Sequence, residues 1–86
     1  MTHEELVRLD HQYTLQTYGR FDVDIDHGKG ARLWDLAGKE YIDFTSGIGT
    51  ASVGYGNERW AGAVARQALK LGHISNLFYA QPYALL

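Results

Sequence analysis

The stretch Gly28–Gly49, GKGARLWDLAGKEYIDFTSGIG, constrains this chain more than any other. Two extended runs, ARLWD and EYIDF, flank an Ala37-Gly38 turn, and the second leads directly into a glycine-rich loop. Two short β-prone runs joined by a glycine turn predict a hairpin, with Gly38 at the positive-φ position. Just before it, Phe21, Val23 and Ile25 alternate with Asp22, Asp24 and Asp26, the period-two pattern of a strand with one wet face. Gly28-Lys29-Gly30 then turns the chain into the second strand. The expected result is a three-stranded antiparallel meander over about residues 21–45.

On either side the pattern is helical. Thr2 and Glu5 have the spacing of a capping box, and Leu6, Val7, Leu9 and Tyr13 follow at helical intervals. A helix over about 3–17 is predicted, closed by Tyr18-Gly19 with a left-handed Gly19. Its apolar stripe is narrow, as expected of a helix that leans on a neighbour. A glycine loop spans 46–56, with four glycines from Gly47 to Gly56. Asn57 is positioned to cap a helix over about 57–71 that packs on the meander through Trp60, Ala61, Val64, Ala65, Ala68, Leu69 and Leu71. Gly62 within it predicts a backbone or ring passing close by, and Gly72 ends it. Residues 72–82 read as loop, and Pro82 suits the first turn of a further helix. The segment is thus α+β.

Composition narrows the function classes. The formal charge of −2 provides no basic field for nucleic acid or anionic lipid, and no apolar run approaches the roughly 20 residues of a membrane span. The acidic start MTHEELVRLD is unlike a signal peptide, and the chain has no cysteine, so a cytoplasmic location is expected. Two Trp, six Tyr and three Phe exceed what an 86-residue core can enclose, and the chain stops at QPYALL as a helix begins. Both features suggest a piece of something larger.

Spacing alone reveals no self-contained active site. The loop misses G-x-G-x-x-G because Ser52 replaces the third glycine, and it misses the Walker pattern because no Lys-Ser/Thr follows. It fits a loop needing backbone freedom near a ligand or subunit boundary better than a phosphate cradle. Asp22, Asp24 and Asp26 lack the glycine and bidentate glutamate of a calcium loop; a solvated strand face is the expected reading. His3, His11, His27 and His73 are scattered without metal-ligand spacing. Ser46, Ser52 and Ser75 lack a nucleophile elbow. Lys29, Lys39 and Lys70 fall in turns or at a helix end, where a Schiff-base lysine is not expected because it needs desolvation.

Six components in order carry a resemblance: Tyr18-Gly19-Arg20, the G-x-G turn, LWD-x-x-GKEYIDF, SGIG, Q-A-x-x-L, and HISNLFY. From about Tyr18 to Pro82 the chain resembles the N-terminal segment of class III pyridoxal-phosphate-dependent aminotransferases, in particular their acetylornithine branch. The resemblance implies a parent of the α/β type I pyridoxal-phosphate fold, a homodimer acting on an amino donor and a 2-oxo acid. It places Tyr18, Gly47, Ile48 and Gly49 beside the substrate and Ser75 and Asn76 at the boundary between subunits and active site. It also places the Schiff-base lysine, phosphate cup, pyridine-pairing aspartate and carboxylate-binding arginine after Leu86. This chain alone is then expected to bind no pyridoxal phosphate and to be inactive. One departure stands out: Gly54-Tyr55-Gly56-Asn57-Glu58 replaces the usual Gly-His-x-His-Pro. The alternative function class is a non-catalytic binding module using the glycine loop and aromatic face.

Overall fold

A computed structural model describes all residues 1–86. Its elements in order are α1 (His3–Tyr13), β1 (His27–Lys29), β2 (Arg32–Trp34), β3 (Glu40–Ile42), α2 (Ser46–Gly49), α3 (Glu58–Lys70) and α4 (Gln81–Leu85). The strands form one antiparallel sheet in the order β1-β2-β3.

α1 begins at the expected capping box: the Glu5 amide donates to Thr2 Oγ1 (3.2 Å) and the Thr2 amide to Glu5 Oε2 (2.8 Å). It ends four residues earlier than predicted, and Gly19 does not terminate it. Thr14 turns extended (φ −111°, ψ 135°), and the Gln16 side-chain amide donates to the Asp10 and Thr14 carbonyls. The Asp10 carbonyl also accepts from the Thr14 amide (2.8 Å), so the Gln16 side chain adds a partner for the C-cap carbonyl of Thr14, and no left-handed glycine is required.

The first strand is also displaced. Residues 21–26 are irregular, and pairing runs from His27 to Lys29 against Trp34 to Arg32. The Val23 amide turns back to the Phe21 carbonyl (2.8 Å), while the Asp26 amide joins the Trp34 carbonyl (2.8 Å) and opens the ladder. Asp22 is solvated as expected (its side chain 92% exposed) but lies on no strand, whereas the Asp24 side chain is nearly buried (8%), and both carboxylates accept from the His3 ring. A two-residue link through Gly30 (φ +60°) joins β1 to β2, and His27 stacks across the pair on Trp34 with centroids 5.0 Å apart. Between β2 and β3, Asp35 Oδ1 accepts from the Ala37 and Lys39 amides, and Gly38 sits at φ +86° as its turn requires.

α3 is capped as predicted, with the Trp60 amide donating to Asn57 Oδ1 (2.9 Å). Its apolar face is not buried on the meander. Trp60 is 61% exposed and Leu69 90%, and regular elements meet only within the sheet. No ring or distant backbone passes Gly62; its nearest neighbour is the Arg66 guanidinium. No residue of the chain is fully withdrawn from solvent, and the accessible surface is 8021 Å². A folded monomer of 9.7 kDa would expose about 5,100 Å². The radius of gyration is 17.4 Å, against about 12 Å for a compact chain of this length. The shape is that of a wall section, with its apolar side uncovered.

Candidate functional site

Four consecutive residues, Ser46, Gly47, Ile48 and Gly49, have positive φ (52°, 59°, 61° and 75°), so α2 is a left-handed turn. L-residues avoid this region because Cβ crowds the following carbonyl, and it is rarely held for more than one residue. Gly47 and Gly49 adopt it freely. Ser46 and the β-branched Ile48 do not, and each carries a cost of order 1–3 kcal/mol that the surroundings must offset. The turn presents Ile48 to solvent at 95% exposure.

Several hydrogen bonds offset that cost. The Gly49 amide donates to the Thr45 carbonyl, and the Thr50 and Ala51 amides both donate to the Ser46 carbonyl. Beneath them lies Asp43. Its Oδ1 accepts from the Thr45 amide (2.8 Å), Thr45 Oγ1 (2.9 Å) and the Ser46 amide (3.2 Å). Its Oδ2 accepts from the same Ser46 amide and from the Tyr55 hydroxyl (2.7 Å). Donors gathered on the ionised carboxylate, Tyr55 foremost, lower its pKa to about 2. The same bond raises the Tyr55 pKa.

Tyr55 is held by the meander. Its amide and carbonyl exchange two 2.9 Å hydrogen bonds with Gly30, and its ring lies against Gly28. A Cβ at Gly28 would stand 2.8 Å from Tyr55 Cβ and Cγ, and also 2.8 Å from Leu33 Cδ2. Gly28 therefore makes room for Tyr55, while Gly30 supplies the positive φ of the turn. Spacing did not single out Asp43 or Tyr55. The Asp43-x-Thr45 interval is a readable Asx-turn signal, but nothing local announces a tyrosine twelve residues away.

The other residues singled out from sequence lie apart from this turn. Tyr18 lines a groove between α1 and residues 16–24, together with Leu6, Val7 and Phe21. Ser75 and Asn76 line a separate groove with Phe78, Tyr79 and Tyr83. The Ser75 hydroxyl accepts from the Leu77 amide (3.2 Å) and so shapes its own loop. Within this chain the three candidate places do not converge on one pocket.

The fold is one shared with part of several solved aminotransferases. It superposes on acetylornithine aminotransferase from Elizabethkingia anophelis with a TM-score of 0.89 at 30% identity, covering 94% of this chain and 21% of that one. On ornithine aminotransferase from Toxoplasma gondii the TM-score is 0.87 at 39% identity, covering 93% and 19%. In sequence, it is 58% identical over 78 residues to acetylornithine aminotransferase of Wolinella succinogenes, which is 91% of this chain and 20% of that protein. The family model "Aminotransferase class-III" matches residues 13–86. This chain belongs to the class III aminotransferases. It spans about a fifth of the length of the curated relatives it matches.

The family implies pyridoxal phosphate, but the residues of this chain do not fit that group. Lys29, Lys39 and Lys70 are all exposed, and Lys39 Nζ lies over the Tyr41 ring, 4.9 Å from its centroid. None is desolvated as a Schiff-base amine must be. The glycine turn does not suit the phosphate either. Its Thr45, Ser46, Gly49, Thr50 and Ala51 amides are used internally, and the anionic Asp43 sits beneath it.

Proposed function

We propose that the protein containing this chain transfers an amino group between N-acetylornithine and 2-oxoglutarate, in arginine biosynthesis, using pyridoxal phosphate held by residues outside 1–86. The carrying observation is the 58% identity to an acetylornithine aminotransferase over nine-tenths of this chain. In this reading the left-handed turn at Gly47, Ile48 and Gly49 forms one wall of the substrate entrance. Tyr18 stands near the donor's amino-acid end, and Ser75 and Asn76 lie where a second subunit reaches the active site. The uncovered face of α3 is surface for the rest of the enzyme, and the assembly is a cytoplasmic homodimer. This accounts for the exposed aromatics without the alternative of a separate binding module.

The test is glutamate formation by the complete enzyme from 2-oxoglutarate with N-acetylornithine, N-succinylornithine, ornithine or 4-aminobutyrate as donor. N-acetylornithine should give the highest kcat/KM. A tenfold preference for ornithine would move the protein to another branch, and no transfer from any donor would end the reading. Mixed with pyridoxal phosphate, the 86-residue chain alone should develop no aldimine colour.

A further inference from the structure

Two side chains brace the left-handed turn, Asp43 directly through Thr45 and Ser46 and Tyr55 through Asp43. Ser46 and Ile48 occupy a backbone region that their side chains disfavour, so something must fix the direction in which Ile48 points. Asp43 grips the turn through Thr45 and Ser46. Its Oδ1 is held by those donors within the turn, and the Tyr55 hydroxyl at 2.7 Å ties its Oδ2 to a residue fixed outside the turn. Tyr55 is in turn fixed by its paired bonds to Gly30 and its ring against Gly28. The chain of contacts therefore runs from the rigid hairpin through Tyr55 and Asp43 to the strained turn.

We propose that Asp43 and Tyr55 are a positioning pair that aims Ile48, and through it sets how tightly the enzyme holds its amino donor. The inference rests on the reading above that this turn borders the donor. Neither residue touches the reacting atoms, so the effect belongs in binding and not in the chemical step. Asp43 stays ionised and Tyr55 protonated across the working range, since each group's shift lies away from neutrality.

The experiment uses the complete holoenzyme with Tyr55→Phe, which deletes only the hydroxyl. KM for the donor should rise roughly 5- to 10-fold while kcat stays within about twofold, the signature of lost ground-state positioning. The cofactor absorbance should be unchanged. Adding Ser46→Gly, which accepts positive φ without a clamp, should recover most of the KM change. An unchanged KM would overturn the proposal. So would a joint loss of kcat, KM and melting temperature that Ser46→Gly does not rescue, which would mean a merely structural role. A crystal structure of the Tyr55→Phe holoenzyme supplies an arm independent of any donor. Displacement or disorder confined to Ser46–Gly49 supports the pair, and an unmoved turn overturns it. If wild type transfers from no donor while that turn is displaced in the variant, the functional reading has failed and the positioning has not.

Discussion

The meander and α3 are equally regular in outline but are held in opposite ways. The meander is closed on itself. Asp35 satisfies the amides of its own turn and accepts from Tyr41 (2.9 Å), Asp43 does the same for the next turn, and Tyr55 ties the two ends together. α3 has a sound cap and continuous backbone bonds, yet its apolar side is largely uncovered and touches no other helix or strand. Helix propensity and capping contribute only a few kcal/mol at most, and tertiary burial normally supplies the rest. One region therefore carries its own specification, while the apolar side of the other finds no cover within residues 1–86.

The largest test of that contrast is Trp60→Ala. In the complete enzyme, where we place a neighbour over this face, the change should cost about 3–5 kcal/mol, read as a lower denaturation midpoint. In the 86-residue chain, helicity by circular dichroism should barely change, because Trp60 is already 61% exposed. Equal losses in both would mean that α3 finds its packing within this chain. Next in size is Gly28→Ala, aimed at the closed region. Its Cβ would meet Tyr55 and Leu33 at 2.8 Å, so overpacking should cost about 1–3 kcal/mol. Gly19→Ala, where nothing lies within 4 Å, is the control and should leave the midpoint unmoved. A tolerated Gly28→Ala would show that Tyr55 can withdraw without loss.

The same contrast explains what could be read in the sequence. The capping box at Thr2 and Glu5, the Asn57 cap and the positive φ of Gly38 are interactions over three residues or fewer, and their spacing announces them. The SGIG loop was legible as a place needing backbone freedom, and as a family motif. That Ser46 and Ile48 would share the left-handed backbone was not, because neither residue favours it alone. Phe21, Val23 and Ile25 imitated a strand because alternation reports which way side chains point, not whether a partner strand lies alongside. There the winning partners were distant: Asp24 Oδ2 accepts from the Leu36 amide twelve residues on, and His3 reaches back from α1. Side-chain contacts of that range leave no local period. The short family motifs made the parent fold legible. Tyr18, Ile48 and Ser75 lie apart within this chain, in places that no spacing relates to one another.

The His3 clamp gives the smallest of these effects, and its sign follows from the chemistry. Nε2 lies 2.7 Å from Asp22 Oδ1 and Nδ1 lies 2.7 Å from Asp24 Oδ1. Ionised carboxylates only accept, so both ring nitrogens must donate and the imidazole must be protonated. The Asp22 bond first, then Asp24, raises His3 above its ordinary 6.5. Asp24 is lowered from 3.8, chiefly by the Leu36 amide and also by His3. For His3 the contribution is complete below 6.5 and is lost as pH rises through the raised value. For Asp24 it is complete above 3.8 and is lost as pH falls through the lowered one. The clamp is therefore fullest between about pH 4 and 6.5. Across the same groove lie Asp10, His11 and Arg20, with Arg20 bound to Asp10 (2.9 Å), so Asp10 is already engaged by its own partner. Protease cleavage within residues 14–21 of the complete enzyme should be slower at pH 6 than at pH 8.5, relative to a His3→Gln control. If both proteins show the same ratio of rates, α1 is held to the meander by something other than this charge.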